Sequence, residues 1–438
     1  MPPINISERI EDNAPFVQRE RRLQRLVTAY IVAGLLFMLL PGTFLGVWNL
    51  LSISAQHTVD TLSPAWLQAH GHAQIFGWLG TFILGIGFYS LSKMGNLPPF
   101  AVSRGCLSLG LWTAGVSLRW AVNITTWEWR VLLPLSAAFE LAGFLLFFLT
   151  AVRHRPAPAS GPPRKKDAWM IVVIGSTLAF LATLLVNFGA AIYVSIYGES
   201  PALPFVFDQR LLALPTWGFL VPTVWGFNAR WLPTFLGLRA PRATSLNAAL
   251  LTAWAAVAIM LYGHALYATM FLPVAAVLAV SALGIFEQPV QPKLNGVHHS
   301  FPVFIRIAYI WFLAASLLSV AAALTDRSGG VWGASRHALT VGFLAAMVFS
   351  IGPKILPAFC GGRILFSPKL MLLSLVLLNT GCLLRVCSEI MAYEGYASYA
   401  WSVLPVSAVI ELAAVTIFAL NLGVTFLRQP AHLMQATH

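Results

Sequence analysis

The chain has 438 residues, of which 58% are hydrophobic and 10% charged, with a mean hydropathy of +0.76 and a formal net charge of +12. So little polar surface excludes a soluble globule of this size. The basic residues are scattered over many short segments, which excludes a nucleic-acid-binding face and points to membrane topology.

In chain order, residues 1–25 are polar, mixing Arg9, Arg19, Arg21, Arg22 and Arg25 with Glu8, Glu11, Asp12 and Glu20, and read as a cytoplasmic tail. The apolar run behind them is too long for a cleaved signal peptide. Runs of about 20 or more apolar residues predict spans at 27–51, 65–93, 101–123, 131–152, 168–196, 210–236, 246–263, 266–286, 303–325, 337–359, 369–388 and 399–427. Only helices or closed barrels satisfy backbone groups in lipid, and these runs lack the ten-residue alternation of barrel strands. The expected fold is therefore all-α, a polytopic membrane protein of twelve transmembrane helices, ending in a short tail at 429–438.

Placing the N-terminus inside puts about 21 of the basic residues on the cytoplasmic side, including those of the linker from Arg153 to Lys166. Both termini are expected there. The four cysteines, Cys106, Cys360, Cys382 and Cys387, show no CxxC spacing and imply neither a disulfide framework nor a thiolate metal site.

An internal repeat organises the spans. HGHAQIFGWLGTFILGIG, from His70 to Gly87, aligns without a gap on HALTVGFLAAMVFSIG, from His337 to Gly352, with His72 on His337 and Gly77 on Gly342. Further on, Gly115 and Arg119 align with Gly381 and Arg385, and Glu140 aligns with Glu411. A weaker middle copy is marked by Arg230, Leu232, Pro233 and Phe235, which echo Lys354, Leu356, Pro357 and Phe359, with Ala279 where the glutamate would stand. Three pseudo-threefold-related four-helix units are expected, at about 26–152, 168–286 and 303–428.

His72 and His337 each open a helix at its outer end, so the repeat places them at similar depth. Two facing imidazoles are the axial set of a low-spin haem, and each histidine could equally be an interfacial residue bonded to a neighbour. His70 is turned roughly 200° from His72 around the helix and would serve a second metal site, with His264 as partner, or remain a polar residue at the bilayer edge. Arg119, Arg385, Arg210 and Arg336 also lie near outer ends. The repeated Arg119 and Arg385, with Arg336, are candidates for haem propionates, the alternative being arginines that snorkel. Glu140 and Glu411 lie inside their spans and are expected to pair with those arginines or to serve a proton path. His298 and His299 fall in a cytoplasmic loop before the ninth span.

The HxHxxxFG pattern of His70, His72, Phe76 and Gly77, the Arg230–Phe235 end of span six and HALTVG from His337 to Gly342 resemble the NnrS family of bacterial twelve-span proteins. The resemblance covers most of spans two to ten. It implies a b-type haem, possible copper binding, the bacterial inner membrane and a role in the response to nitric oxide. The chain departs from the family pattern in having HAQ at His72–Gln74 and PAFC at Pro357–Cys360. It also resembles the twelve-helix catalytic subunit I of haem-copper oxidases, whose low-spin haem ligands lie on spans two and ten. That subunit's copper histidine on span six is missing from Leu211–Gly226, so independent oxygen reduction is not expected. Three classes stand side by side: a haem-binding protein of the nitrosative-stress response, a haem-copper-type oxidoreductase or electron-transfer protein, and a secondary transporter, whose polar residues would lie near the midplane.

Overall fold

The computed structural model describes residues 6–94, 100–154, 167–288, 290 and 292–428. The C-terminal tail from 429 and all but the first two residues of the Arg153–Lys166 linker lie outside them. The described residues form helices joined by turns and loops, with no strand, and ten helices are long and apolar enough to cross a membrane. Eight of the ten begin and end within a few residues of the predicted spans. The other two, Val17–Gln56 and Gly330–Phe359, start seven or more residues earlier than predicted.

The first helix departs most from expectation. It begins at Ile6, so much of the polar stretch to residue 25 continues the helix instead of forming an irregular tail. Leu23, Leu26, Val27 and Tyr30 explain this, because their i, i+3, i+4, i+7 spacing makes one apolar stripe that is buried in the core. Arg21 and Arg25 occupy the opposite face, and Arg19 and Arg22 are exposed as well.

In order, the helices are α1 (Ile6–Phe37), α2 (Leu45–Gln56), α3 (Pro64–His72), α4 (Thr81–Met94), α5 (Val102–Thr125), α6 (Trp129–Arg153), α7 (Ala168–Tyr197) and α8 (Phe205–Leu211). They continue as α9 (Val221–Leu236), α10 (Ala243–Leu261), α11 (Ala265–Leu283), α12 (Phe301–Thr325), α13 (Gly330–His337), α14 (Ala346–Phe359), α15 (Pro368–Tyr393) and α16 (Ala400–Leu427). α5, and the broken rod from α8 to α9, occupy the two predicted spans that are not among the ten apolar ones.

Four joints are π-helical: Met38–Phe44 between α1 and α2, Ala73–Gly80 between α3 and α4, Leu214–Leu220 before α9, and Ala338–Ala345 between α13 and α14. The last three share one register. The same offset that sets Pro233 on Pro357 sets Leu214 on Ala338, and the ThrTrpGlyPheLeu run from Thr216 then lies on ThrValGlyPheLeu from Thr340. Gly77, Gly218 and Gly342 coincide, while Ala213 stands where His72 and His337 stand in the other copies. A π turn carries one extra residue, so each of these helices widens just inside the histidine position.

The most extensive packing is between α5 and α6, α10 and α11, and α15 and α16. α6 also packs on α7, α11 on α12, and α16 on α2 and the first π joint. The interior is aromatic: Phe180 stacks on Phe219 at 3.9 Å, and Trp217, Phe312, Phe343 and Tyr309 continue the layer.

Candidate functional site at the repeated histidines

His72 ends α3 about 12 Å below its start, at 1.5 Å per residue. Its Nε2–H donates to Glu140 Oε1 at 2.7 Å, and Glu140 on α6 has no exposed surface. Asn187 Nδ2 on α7 donates to the other carboxylate oxygen at 3.4 Å, so both oxygens are engaged. The imidazole lies on Phe76, one turn further on, at 4.5 Å. Gly115 makes the room, since a Cβ there would stand 2.8 Å from Glu140 Cγ.

The same register gives His337 different partners. Its Nδ1 must donate, because Gly333 O, 2.9 Å away, can only accept. Glu389 Oε2 is 3.1 Å from the same nitrogen, and Gly333 is a glycine because a side chain there would collide with that carboxylate. Arg385 pairs with Glu389, its Nη2 donating to Oε1 at 3.5 Å and its Nε lying 3.2 Å from Oε2. Glu411, aligned with Glu140, packs on Gly381, whose Cβ would meet its Cγ at 2.6 Å. Its Oε1 has no hydrogen-bond partner, and His337 and Arg385 are within electrostatic range.

His70 turns to the other side of α3, toward the first π joint. Its Nδ1 donates to Gly42 O at 2.8 Å, and Gly46 admits the ring, a Cβ there lying 2.6 Å from His70 Cε1. His337 and Arg385 both act on it electrostatically. His70, His337 and Glu411 are half-buried. The imidazole within electrostatic range of His337 is thus His70, while His72 is committed to Glu140.

Arg119 is 5% exposed, and its Nε and Nη1 have no hydrogen-bond partner. The same two atoms of Arg385 are unpartnered. Glu140 and Asp208 lie within electrostatic range of Arg119, and Arg119 and Arg336 within range of Asp208. The expected pairing of Glu140 with Arg119 is therefore a long-range attraction, whereas the short partner is His72. Burial pushes the Asp208 carboxyl up from its ordinary value, against the pull of Arg336 and Arg119.

Arg336 donates to Trp332 O at 3.3 Å and lies within range of Glu389. Arg210 packs beside Gly263 at the α10–α11 turn. His264 is exposed at the start of α11 with its ring edge-on to Tyr267, away from the Gly42 and Gly46 surroundings of His70. His298 and His299 lie against each other, ring centroids 4.0 Å apart, in the loop before α12. Among the described residues no group of three or more His, Cys, Asp or Glu side chains is arranged to hold a metal ion.

Glu389, Asn187 and Asp208 escaped the repeat-based reading because none is duplicated. Glu389 was visible as the i+4 partner of Arg385, whereas the equivalent position after Arg119 is Asn123. Residues 234–421 match the model of a family described as a domain of unknown function, DUF8744. No curated protein matches the chain.

Proposed function

We propose that this is a twelve-span membrane protein of three related four-helix units, resembling the NnrS family, that binds a b-type haem and acts in the response to nitric oxide. On this reading it sits in the bacterial cytoplasmic membrane with both termini inside. The shared π register and the closed order of packing, α6 on α7, α11 on α12 and α16 on α2, support the three-unit ring.

One observation carries the cofactor. His70 lies within electrostatic range of His337, and each ties Nδ1 to a backbone carbonyl. That tautomer leaves the Nε2 lone pair free on both rings, as axial ligation requires. Glu389 behind His337 supplies the carboxylate that commonly orients a metal-bound imidazole. Arg385, with two unpartnered N–H groups, suits a propionate. Haem would supply one-electron redox chemistry, and the chain's own part is to hold it, orient the imidazoles and neutralise its carboxylates. Two imidazoles suffice for haem, so copper is not included.

The visible spectrum of purified protein tests this. A Soret band is expected that disappears in His70→Ala and His337→Ala but survives in His72→Ala. A colourless protein, or a band that survives both of the first two substitutions, overturns the reading.

Secondary transport is the second reading, favoured by Glu140, which lies fully buried about 16 Å along α6, near mid-membrane, with Asn187 at similar depth. A colourless protein whose reconstituted vesicles move protons with a solute would support it.

A further inference from the structure

Arg119 is left over by the haem reading, since the groups acting on it are Glu140 and Asp208 and not the His70–His337 pair. An arginine this deeply buried is retained only with partners for its charge and its N–H groups. Its charge has two carboxylates at a distance, but Nε and Nη1 have no acceptor. Nor can Glu140 swing over to serve them without cost. It is held by His72 at 2.7 Å and by Asn187, and its stem is wedged over Gly115.

The surroundings are built. Gln68 of α3 donates to Leu203 O at 2.8 Å and accepts from Leu203 N at 2.9 Å, and Arg130 of α6 donates to Ser195 O and Gly198 O at 2.9 and 3.1 Å. These bonds fasten the α7–α8 connection to the two helices flanking α5, the helix of Arg119. Asp208, just beyond that connection, supplies the nearest outer charge. The equivalent boundary between the third and first units offers two imidazoles, but here the position matching His70 is Leu211. This boundary therefore lacks a second axial ligand and keeps a cation with open donors.

We propose that Arg119 anchors a carboxylate-binding site at the boundary of the first and second units, entered from the outer face past Asp208. A carboxylate is chosen because a planar guanidinium presents paired N–H groups that match two coplanar oxygens. Its source is either a small free carboxylate or a propionate of the bound haem, and the two are separable.

Acetate is the probe, titrated into the detergent-purified full chain against chloride at equal ionic strength, with thermal stability as the readout. For a free ligand, acetate raises the melting temperature of wild type, Arg119→Gln weakens the apparent affinity about tenfold or more, Arg119→Lys weakens it less, and the Soret band is unchanged. Asp208→Asn, which removes the competing charge, tightens acetate. For a propionate, acetate is without effect, and Arg119→Gln shifts the haem midpoint potential while Arg119→Lys largely restores it. The proposal is overturned if acetate acts equally on wild type and Arg119→Gln, or if acetate does nothing and the potential does not move. The acetate arm is readable in a colourless protein, so failure of the haem reading is not mistaken for failure here.

Discussion

At the scale of single residues, the repeated glycines and glutamates are one device. Gly115 and Gly381 recur because each leaves space for a carboxylate stem on the neighbouring helix. Gly115→Ala is expected to destabilise the protein by about 1–3 kcal/mol through overpacking, whereas Gly110→Ala, on the same helix with open space around it, leaves the melting temperature nearly unchanged. His72→Ala strips Glu140 of its close partner, and truncating one side of a buried pair costs about 3–5 kcal/mol. That loss would appear in thermal melts. Asp208 gives a pH signature: its carboxyl is raised above the ordinary value of about 4, so the folded state binds the proton more tightly than the unfolded one. The resulting stability is complete below that ordinary value and is lost as pH rises through the raised one. Melts of Asp208→Asn should lack this decline, and an unchanged profile would count against it. Of this chemistry, the duplicated residues were legible in the sequence, but their partners were not. Identical registers lead His72 to Glu140 and His337 to Glu389, because Gly333 opens space beside one ring and Asn123 replaces a glutamate beside the other.

At the scale of elements, hydropathy located the helices because lipid leaves the backbone few alternatives. It could not locate the π joints, since an extra residue per turn changes no composition and the aligned copies carry it without a gap. It also cut the first helix short, as the charged face of α1 hides the stripe of Leu23, Leu26, Val27 and Tyr30. Helix ends are fixed by local chemistry. Gly237 closes α9 with φ +66°, and a Cβ there would run into the Val290 backbone. Gly237→Ala should therefore cost more than the ~1 kcal/mol expected of Gly296→Ala, whose φ is +80° but whose surroundings are open. Comparing the two melting temperatures checks it.

For the whole molecule, His70, His72, His264 and His337 lie toward one end of the bundle and the exposed arginines of α1 toward the other. If basic segments stay inside, His264→Cys should react with a membrane-impermeant maleimide on intact cells, and Arg428→Cys only after permeabilisation. The reverse pattern would invert the topology. The widened turn at Leu214–Leu220 is present although Ala213 stands where His72 and His337 precede the matching turns. The scaffold that aims such a side chain thus outlives the side chain itself. Ala213→His would give this helix an imidazole at the same register ahead of the π turn that its two counterparts carry.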